Sequence, residues 1–539
     1  MRRERTVAWD TIVVGAGPAG ITAARTLLEA GRGVCLVDAG EQPAEPPPQA
    51  ALATFRQELG RWRWFLGEGA EALKAREENS PKLRTPVAQR ILEGYEQALQ
   101  VQAESFRVVG CMAPGGLSNL WGAGVACFNE TELRGWPVRL EDLREGYDTV
   151  ARRIGVSGSS TDDLADFFGK FLPLQPPLPL DQPAETVYRR YQQRRAMVRS
   201  AGLTLGRSRN AVLTQPLGQR EACTRCGFCL YGCGYQAIYN ASEELEELKG
   251  HPAFSYFPGL WAERLETTPD GPRLTTVRRG SGERQVWTAR AILLACGTLA
   301  TTRLVLGALG WVDRPVRLLS QPAVGFALWV PRDLAGPYPE RFFGLAQLSF
   351  TATSPGEGKA PLAAGNVFLG FAVPLWDLAS RLPLPPRLGY RLLRDLLPSL
   401  LLGNAFLSAD VTEHSLTLGS DGVLRVRGHY RPELDLCLPQ VVQILRKGFR
   451  RAGAWLLPGS LRLATPGADV HYAGTLPHSA RPALGQTDPM GAVAGLPGVY
   501  VVDASVLPSL PPKAHTFTVM ANAHRIAAAL GKQYRGAAT

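Results

Sequence analysis

The run Asp10-Thr-Ile-Val-Val14, Gly15-Ala-Gly17-Pro-Ala-Gly20, Ile21 to Ala30, and then Val34-Cys-Leu-Val37-Asp38 decides the fold. Residues 11–14 are β-branched throughout, which predicts a strand buried on both faces of a parallel sheet. Gly15 permits a tight turn, Gly17 lets backbone approach a pyrophosphate, and Gly20 lets the following helix pack closely on the strand. Ile21 to Ala30 supplies that helix, whose N-terminal N–H groups favour phosphate, and Gly31 and Gly33 end it. Asp38 closes the second strand, where an acid accepts hydrogen bonds from a ribose. Strand, loop, helix, strand and acid in register are the context that gives a GxGxxG its meaning. This run alone leaves FAD and NAD open.

The other bulk features bound the answer without fixing it. A chain of 539 residues is too long for one simple core and predicts two or three domains. With 45% hydrophobic and 20% charged residues, the composition is that of an ordinary globular protein. No run approaches the ~20 apolar residues that span a bilayer. The N-terminus Met1-Arg2-Arg3-Glu4-Arg5 leads into the first strand without a separate apolar segment and cleavage site, so no signal peptide and a cytoplasmic location are expected. The formal charge of +11 comes with no basic run interleaved with aromatics, which argues against nucleic acid as a partner. An acidic electron carrier or a phosphate-bearing substrate stays compatible with that charge.

Four further segments carry chemistry. Gly115-Gly116-Leu-Ser118-Asn119-Leu-Trp121-Gly-Ala-Gly124 is a small-residue loop able to lie against a cofactor. Arg290-Ala-Ile-Leu-Leu-Ala-Cys-Gly297 reads as a buried strand feeding a tight turn. His471-Tyr-Ala-Gly474-Thr475 lies on a glycine-containing stretch. Val499-Tyr-Val-Val-Asp503-Ala-Ser505 precedes His515-Thr-Phe-Thr518, which opens the last helix.

In this order and spacing the segments resemble the glucose–methanol–choline (GMC) family of flavin-dependent alcohol oxidoreductases, from residue 10 to about 530, most loosely over 311–460. The resemblance implies FAD in a discontinuous Rossmann-type α/β domain, beside an α+β substrate domain whose antiparallel sheet roofs the pocket. Gly15, Gly17, Gly20 and Asp38 match the dinucleotide fingerprint. Gly115, Gly116, Ser118 and Asn119 match the loop along the flavin, and Asp503 matches the acid near the pyrophosphate and ribityl chain. His471 and His515 match the two active-site positions. Leu120 stands where members with covalently attached flavin have histidine, so non-covalent FAD is implied. Pro477-His478 replaces the usual Met-Gly, and His478 itself stays open between a structural and a functional reading.

Oxidising an alcohol removes a hydroxyl proton and a hydride from the adjoining carbon. The hydride goes to flavin N5, and the protein must accept the proton. Histidine suits that task because its pKa lies near operating pH. His471 is therefore expected to be the general base, with His515 hydrogen-bonding and orienting the oxygen. His251, His414, His429 and His524 are read as structural.

Four of the nine cysteines fall within eleven residues, Cys223-Thr-Arg-Cys226-Gly-Phe-Cys229-Leu-Tyr-Gly-Cys233. This C-x₂-C-x₂-C-x₃-C spacing is that of bacterial ferredoxin segments, although Gly234 replaces the usual proline. An iron–sulfur cluster ([4Fe–4S] type) passing electrons to an external acceptor protein, a structural zinc, and a metal-free loop are three open readings. Arg220 and Arg225 would suit a negatively charged cluster or a solvated surface equally.

The expected organisation is an FAD-binding domain over 1–45, 105–170, 195–310 and 461–539, a helical cover over 46–104, a proline-rich extended connector over 171–194, and a substrate domain over 311–460. Within the cover, helices are expected over Phe55–Trp64 and Gln89–Gln102. Leu416 to Arg427, turning at Ser420-Asp-Gly, predicts a hairpin of the substrate sheet. Leu375 to Leu407 is read as a substrate-domain helix, with a membrane-surface patch the less favoured alternative. The leading function is an FAD-dependent dehydrogenase of a CH–OH group on a sugar, sugar derivative or polyol. An oxygen-using oxidase and a flavin/iron–sulfur electron-transfer protein are the alternatives.

Overall fold

The computed structural model describes residues 7–74, 80–331, 339–354, 360–379 and 382–536. The charged N-terminus read above, residues 1–5, lies outside them.

Strand Val7–Val14 pairs in parallel with Val34–Val37 on one side and with Arg284–Leu294 on the other. Phe254–Phe257 extends the sheet beyond Val34–Val37, and Val499–Val501 pairs with Ile292 to Leu294. Ile12, Val13, Cys35, Leu36, Ile292 and Leu293 are fully buried, as in a parallel sheet covered on both faces. Helix Pro18–Glu29 begins at Gly17 with proline in its first turn, where the missing N–H is harmless and φ is already helical. It packs against the last helix, Thr516–Gly536, which in turn packs against Leu140–Ile154. The second of these contacts is close at Gly146, where a β-carbon would come within 2.4 Å of the Ala521 carbonyl oxygen.

An antiparallel sheet forms the second unit, in the order 455–456, 323–329, 400–407, 363–369, 348–352 and 203–207. Helix Glu433–Arg451 backs it, with Phe449 set 6.0 Å from Phe326 and 5.5 Å from Phe350 between ring centres. A third, small sheet joins Val101–Glu104, Leu424–Arg427, His414–Leu418 and Val316–Leu318.

Several boundaries differ from the sequence expectation. Leu203–Arg207 pairs with Leu348–Ala352, so it belongs to the antiparallel sheet and not to the FAD-binding domain. Leu203 and Leu205 are buried in the core that contains Phe350 and Phe449, a long-range pairing that a five-residue strand cannot announce. The connector gives way to helix Gln182–Gln193, in which Pro183 occupies the tolerated first turn. The hairpin over 414–427 forms, but it closes onto Val316–Leu318 and Val101–Glu104 instead of joining the substrate sheet. In the cover, Gly60, Gly67 and Gly94 take positive φ and cut the expected helices into short pieces such as Trp62–Leu66, Pro86–Leu92 and Tyr95–Leu99. Leu375 to Leu407 resolves into helices Leu375–Ala379 and Pro386–Leu396 and strand Leu400–Leu407. Leu388, Tyr390 and Leu392 on the second helix are exposed. Among the described residues no helix is long and apolar enough to cross a membrane.

Candidate active site and cofactor cleft

The parallel strands end together at Val14, Val37, Leu294 and Val501, and the glycine-rich turn leaves the sheet at that edge. Ligands of open α/β sheets bind at this edge. Gly15 takes φ +105°, and a β-carbon there would lie 2.5 Å from the Ala295 carbonyl oxygen. A β-carbon on Gly20 would lie 1.9 Å from the Gly15 carbonyl oxygen, so only glycine lets the helix start against the turn. Gly17 is different, because a β-carbon there would meet nothing within 4 Å. Protein packing does not require that glycine, which leaves an open approach to a helix N-terminus that no side chain caps.

The loop 113–119 lies against this turn. Gly115 N–H donates to the Ala16 carbonyl at 3.1 Å, and a β-carbon on Gly116 would sit 3.3 Å from Gly17 Cα. Ser118 and Asn119 are engaged in shaping the loop. Ser118 Oγ donates to the Gly115 carbonyl at 2.6 Å, and Asn119 Nδ2 donates to the Pro114 and Gly116 carbonyls at 2.9 and 2.8 Å. Asn240, absent from the sequence reading, locks both. Its Nδ2 donates to Asn119 Oδ1 at 2.8 Å, and its Oδ1 caps helix Ala241–Leu248. Asp38 accepts from Ala16 N–H at 3.0 Å and from Gly40 N–H at 3.1 Å, and burial lifts its carboxyl to about 6. Each carboxylate oxygen keeps capacity for one more donor.

Asp503 follows the strand Val499–Val501 and is fully committed. It accepts from Gly297 N–H at 3.0 Å, Thr301 Oγ1 at 2.5 Å, Ser505 N–H at 3.0 Å and Ser505 Oγ at 2.6 Å. It thereby fixes the turn that opens helix Thr298–Ala308 and the descent toward His515. The open side of Gly17, the uncapped helix end and the spare acceptors of Asp38 together fit a dinucleotide in extended form.

His471 and His515 come together, ring centres 5.2 Å apart and planes at 85°. His471 also faces Phe406 of the antiparallel sheet at 5.1 Å, so the pair lies on the seam between the two units. Its Nδ1 is 2.7 Å from Gln321 Oε1 and 3.8 Å from Asp469 Oδ2. Burial holds the His471 pKa below that of free imidazole, and the Asp469 carboxylate opposes that shift. His515 is pushed down to about 3 by burial and secondarily by His471, so it is neutral at working pH. Among the described residues its buried Nδ1 has no hydrogen-bond partner.

Asp469 and Gln321 escaped the sequence reading. Asp469 is two positions before His471, a weak cue, and reaches it because Val470 takes the left-handed conformation at φ +62°. That geometry is a true outlier for a β-branched residue, and such strain concentrates at functional sites. The Asp469 carboxylate accepts from Ser320 Oγ, from Gln321 N–H at 2.7 Å and from His471 N–H at 3.3 Å. Gln321, 150 positions away, left no signal at all.

The remaining histidines lie elsewhere. His478 is satisfied on both ring nitrogens, by Thr487 Oγ1 at 2.9 Å and Asn522 Nδ2 at 3.1 Å, which resolves it as structural. His524 bonds Thr26, His414 Nδ1 accepts from His429 N–H, and His251 Nδ1 accepts from Ala253 N–H.

The loop brings the four thiols near one another, close enough that Cys223, Cys226 and Cys233 act on Cys229, but not in the metal-holding arrangement the spacing anticipated. All nine cysteines are free, and among the described residues no group of three or more His, Cys, Asp or Glu side chains is arranged to hold a metal ion. Cys229 Sγ instead accepts from Gly344 N–H at 3.3 Å, and Cys223 Sγ accepts from Arg225 N–H at 3.4 Å. Burial first, then the neighbouring thiols, pushes Cys229 up, which keeps it protonated. Arg225 pairs with Asp181, and Arg220 donates to the Ile154 and Gln236 carbonyls at 2.7 and 3.0 Å, so neither arginine is reserved for a cluster. Among the described residues the thiols as placed form no ready-made iron–sulfur or zinc site.

Comparison with known proteins follows the same lines. Residues 462–523, which carry His471, Asp503 and His515, match the GMC oxidoreductase family model. The chain is 25% identical over 560 residues to paromamine 6'-oxidase from Streptomyces fradiae, covering 97% of this chain and 91% of that one. It is 27% identical over 311 residues to 6'''-hydroxyparomomycin C oxidase from Streptomyces lividus, covering 55% and 50%. Among solved structures, pyridoxine 4-oxidase from Mesorbium loti superposes with a TM-score of 0.60 at 17% identity, covering 98% and 99% of the two chains. A variant of formate oxidase from Aspergillus oryzae RIB40 superposes with a TM-score of 0.62 at 16% identity and the same coverage.

Proposed function

We propose that this chain is a GMC oxidoreductase, a reading supported by the family match over 462–523 and the relatives named above, and that it oxidises a CH–OH group of a sugar derivative or polyol with FAD held non-covalently at the edge of the parallel sheet. Gly15, Gly17 and Gly20, the helix start at Pro18, Asp38 and the loop Gly115 to Asn119 would hold the dinucleotide. Leu120 offers no nucleophilic atom for a covalent link. When bound, FAD supplies a two-electron acceptor next to the substrate carbon.

The observation that carries the reading is the perpendicular histidine pair with one ring nitrogen of His471 already engaged. His471 Nε2 is left to take the hydroxyl proton, and the proton then resides at that atom. Asp469, 3.8 Å from the other side of the ring, compensates the positive charge this creates. His515, neutral and buried, orients the substrate oxygen by hydrogen bonding. Phe406 walls the site on the antiparallel side and limits water.

The relatives' names favour molecular oxygen as electron acceptor over a separate carrier protein. With no ready-made cluster site at the cysteines among the described residues, no electron path is routed through them. The formal charge of +11 works against steering a polycation, so a substrate panel should set paromamine beside neutral polyols. The test is rapid-mixing flavin reduction without air. His471→Ala should slow reduction by about 10²–10⁴-fold, and an unchanged rate would overturn the assignment. Peroxide equal to product in air supports oxygen; peroxide absent while an artificial acceptor is reduced supports a dehydrogenase.

A further inference from the structure

Gln321 is 1% exposed and sits where the two histidine-bearing loops meet. Its side-chain Nε2 donates to the Pro511 carbonyl and, at 3.2 Å, to the Lys513 carbonyl. Its Oε1 lies 2.7 Å from His471 Nδ1, and its backbone N–H donates to Asp469. Turning the amide over would point Oε1 at two carbonyl oxygens, leaving three acceptors facing one another in a buried site. The two carbonyls therefore fix the amide, and the amide fixes the ring.

We infer that Gln321 sets the tautomer of His471, holding the proton on Nδ1 so that Nε2 carries the lone pair, and that it clamps the loop leading to His515 at the angle the pair requires. Gln321 touches neither reacting atom and is a positioning residue. The inference rests on the reading of His471 as base for its catalytic meaning, but not for its structural content. Lys513 is two residues from His515, so one amide spans the segments that place both rings. The Leu319–Ala473 bridge, with N–H to carbonyl distances of 2.9 and 3.0 Å in the two directions, stiffens the same junction.

The test is nitrogen NMR of the flavin-loaded protein labelled only at histidine, at a pH where His471 is neutral, with His471→Ala to identify its signals. The expected result is a protonated Nδ1 and an unprotonated Nε2 in the native protein. In Gln321→Met, near-isosteric but without polar atoms, the proton should redistribute toward Nε2. Flavin reduction should slow by about 10²-fold, in the direction of the larger losses a wrong tautomer causes in a serine-protease triad, with half-saturation changed less than about twofold. Gln321→Glu should keep the native tautomer, because a carboxyl oxygen at the same place still accepts from Nδ1–H, as the carboxylate does in a serine-protease triad. A native spectrum with the proton on Nε2, or a Met variant with unchanged tautomer, would overturn the inference. Normal flavin reduction in His471→Ala with the expected native tautomer would sink the base assignment alone, so the two failures are separable.

Discussion

Replacing Asp469 by asparagine isolates one electrostatic contribution while preserving the hydrogen bonds around it. The amide oxygen can still accept from Gln321 N–H and His471 N–H, and the amide nitrogen can donate to Ser320 Oγ, whose hydroxyl rotates. What disappears is a charge 3.8 Å from His471 Nδ1. At an effective dielectric near 20, that pair interacts by about 4 kcal/mol once His471 is protonated. If roughly half the imidazolium charge has formed at the transition state, the barrier rises about 2 kcal/mol and reduction slows roughly 30-fold. The pH profile should move as well. His471 accepts a proton only when neutral, so activity is lost as pH falls through its folded pKa, which burial already places below 6.5. Asp469 raises that pKa, so its removal moves the acid limb to still lower pH. The other groups near the ring or near Asp469 leave the sign unchanged. Gln321 is uncharged, His515 is neutral, and burial pushes Tyr430 and Tyr472 up and keeps them protonated. Rapid-mixing flavin reduction across pH measures both quantities. A plateau within twofold of wild type, or an acid limb displaced upward, refutes the account.

Gly20→Ala drives a β-carbon to 1.9 Å from the Gly15 carbonyl oxygen, so folding should lose about 3 kcal/mol and purified protein should retain little FAD; native denaturant midpoint with full FAD content would count against the packing argument. His478 is held down to about 3 in the fold, so the unfolded chain takes up its proton first and stability is lost as pH falls below 6.5. Between pH 7.5 and 4.5 wild type should therefore lose about 2.5 kcal/mol more than His478→Gln by denaturant titration, and parallel losses would contradict the burial assignment. Iron and sulfide analysis of protein purified without air should find neither, and thiol titration in denaturant without reductant should count nine thiols per chain; stoichiometric iron and sulfide would restore a cluster at Cys223, Cys226, Cys229 and Cys233.

What was legible from sequence follows the range of the interactions involved. The dinucleotide turn could be read because Gly15, Gly17 and Gly20 meet their constraints within a few residues of one another and of a β-branched strand. His471 and His515 were singled out through family register, not through any local property. Asn240, Gln321 and Asp469 were missed, since their partners lie 121, 150 and 148 positions away and polar residues of those types are common at surfaces. Leu203–Arg207 was misplaced for a related reason. A short strand declares that it is a strand, but its pairing register with Leu348–Ala352 depends on residues nearly 150 positions downstream.

The cysteine loop also has a packing role at the junction of three segments. Leu52 N–H donates to the Cys226 carbonyl at 2.8 Å, tying the cover segment to the loop. Phe342 N–H donates to the Arg225 carbonyl at 2.6 Å, and Gly344 N–H donates to Cys229 Sγ, tying the antiparallel unit to the same loop. Phe228 fills the angle between them, 5.4 Å from both Phe55 and Trp64. Each thiol is small and weakly polar, which suits a crowded three-way junction where a larger side chain would part the segments. Gly227 sharpens the point, since a β-carbon there would come within 2.7 Å of the Phe342 ring. A clasp of this kind sets how the cover and the antiparallel sheet meet, and Phe406 of that sheet walls His471. Loosening the clasp should therefore reach the active site through the sheet, changing substrate half-saturation before it changes the intrinsic rate of flavin reduction.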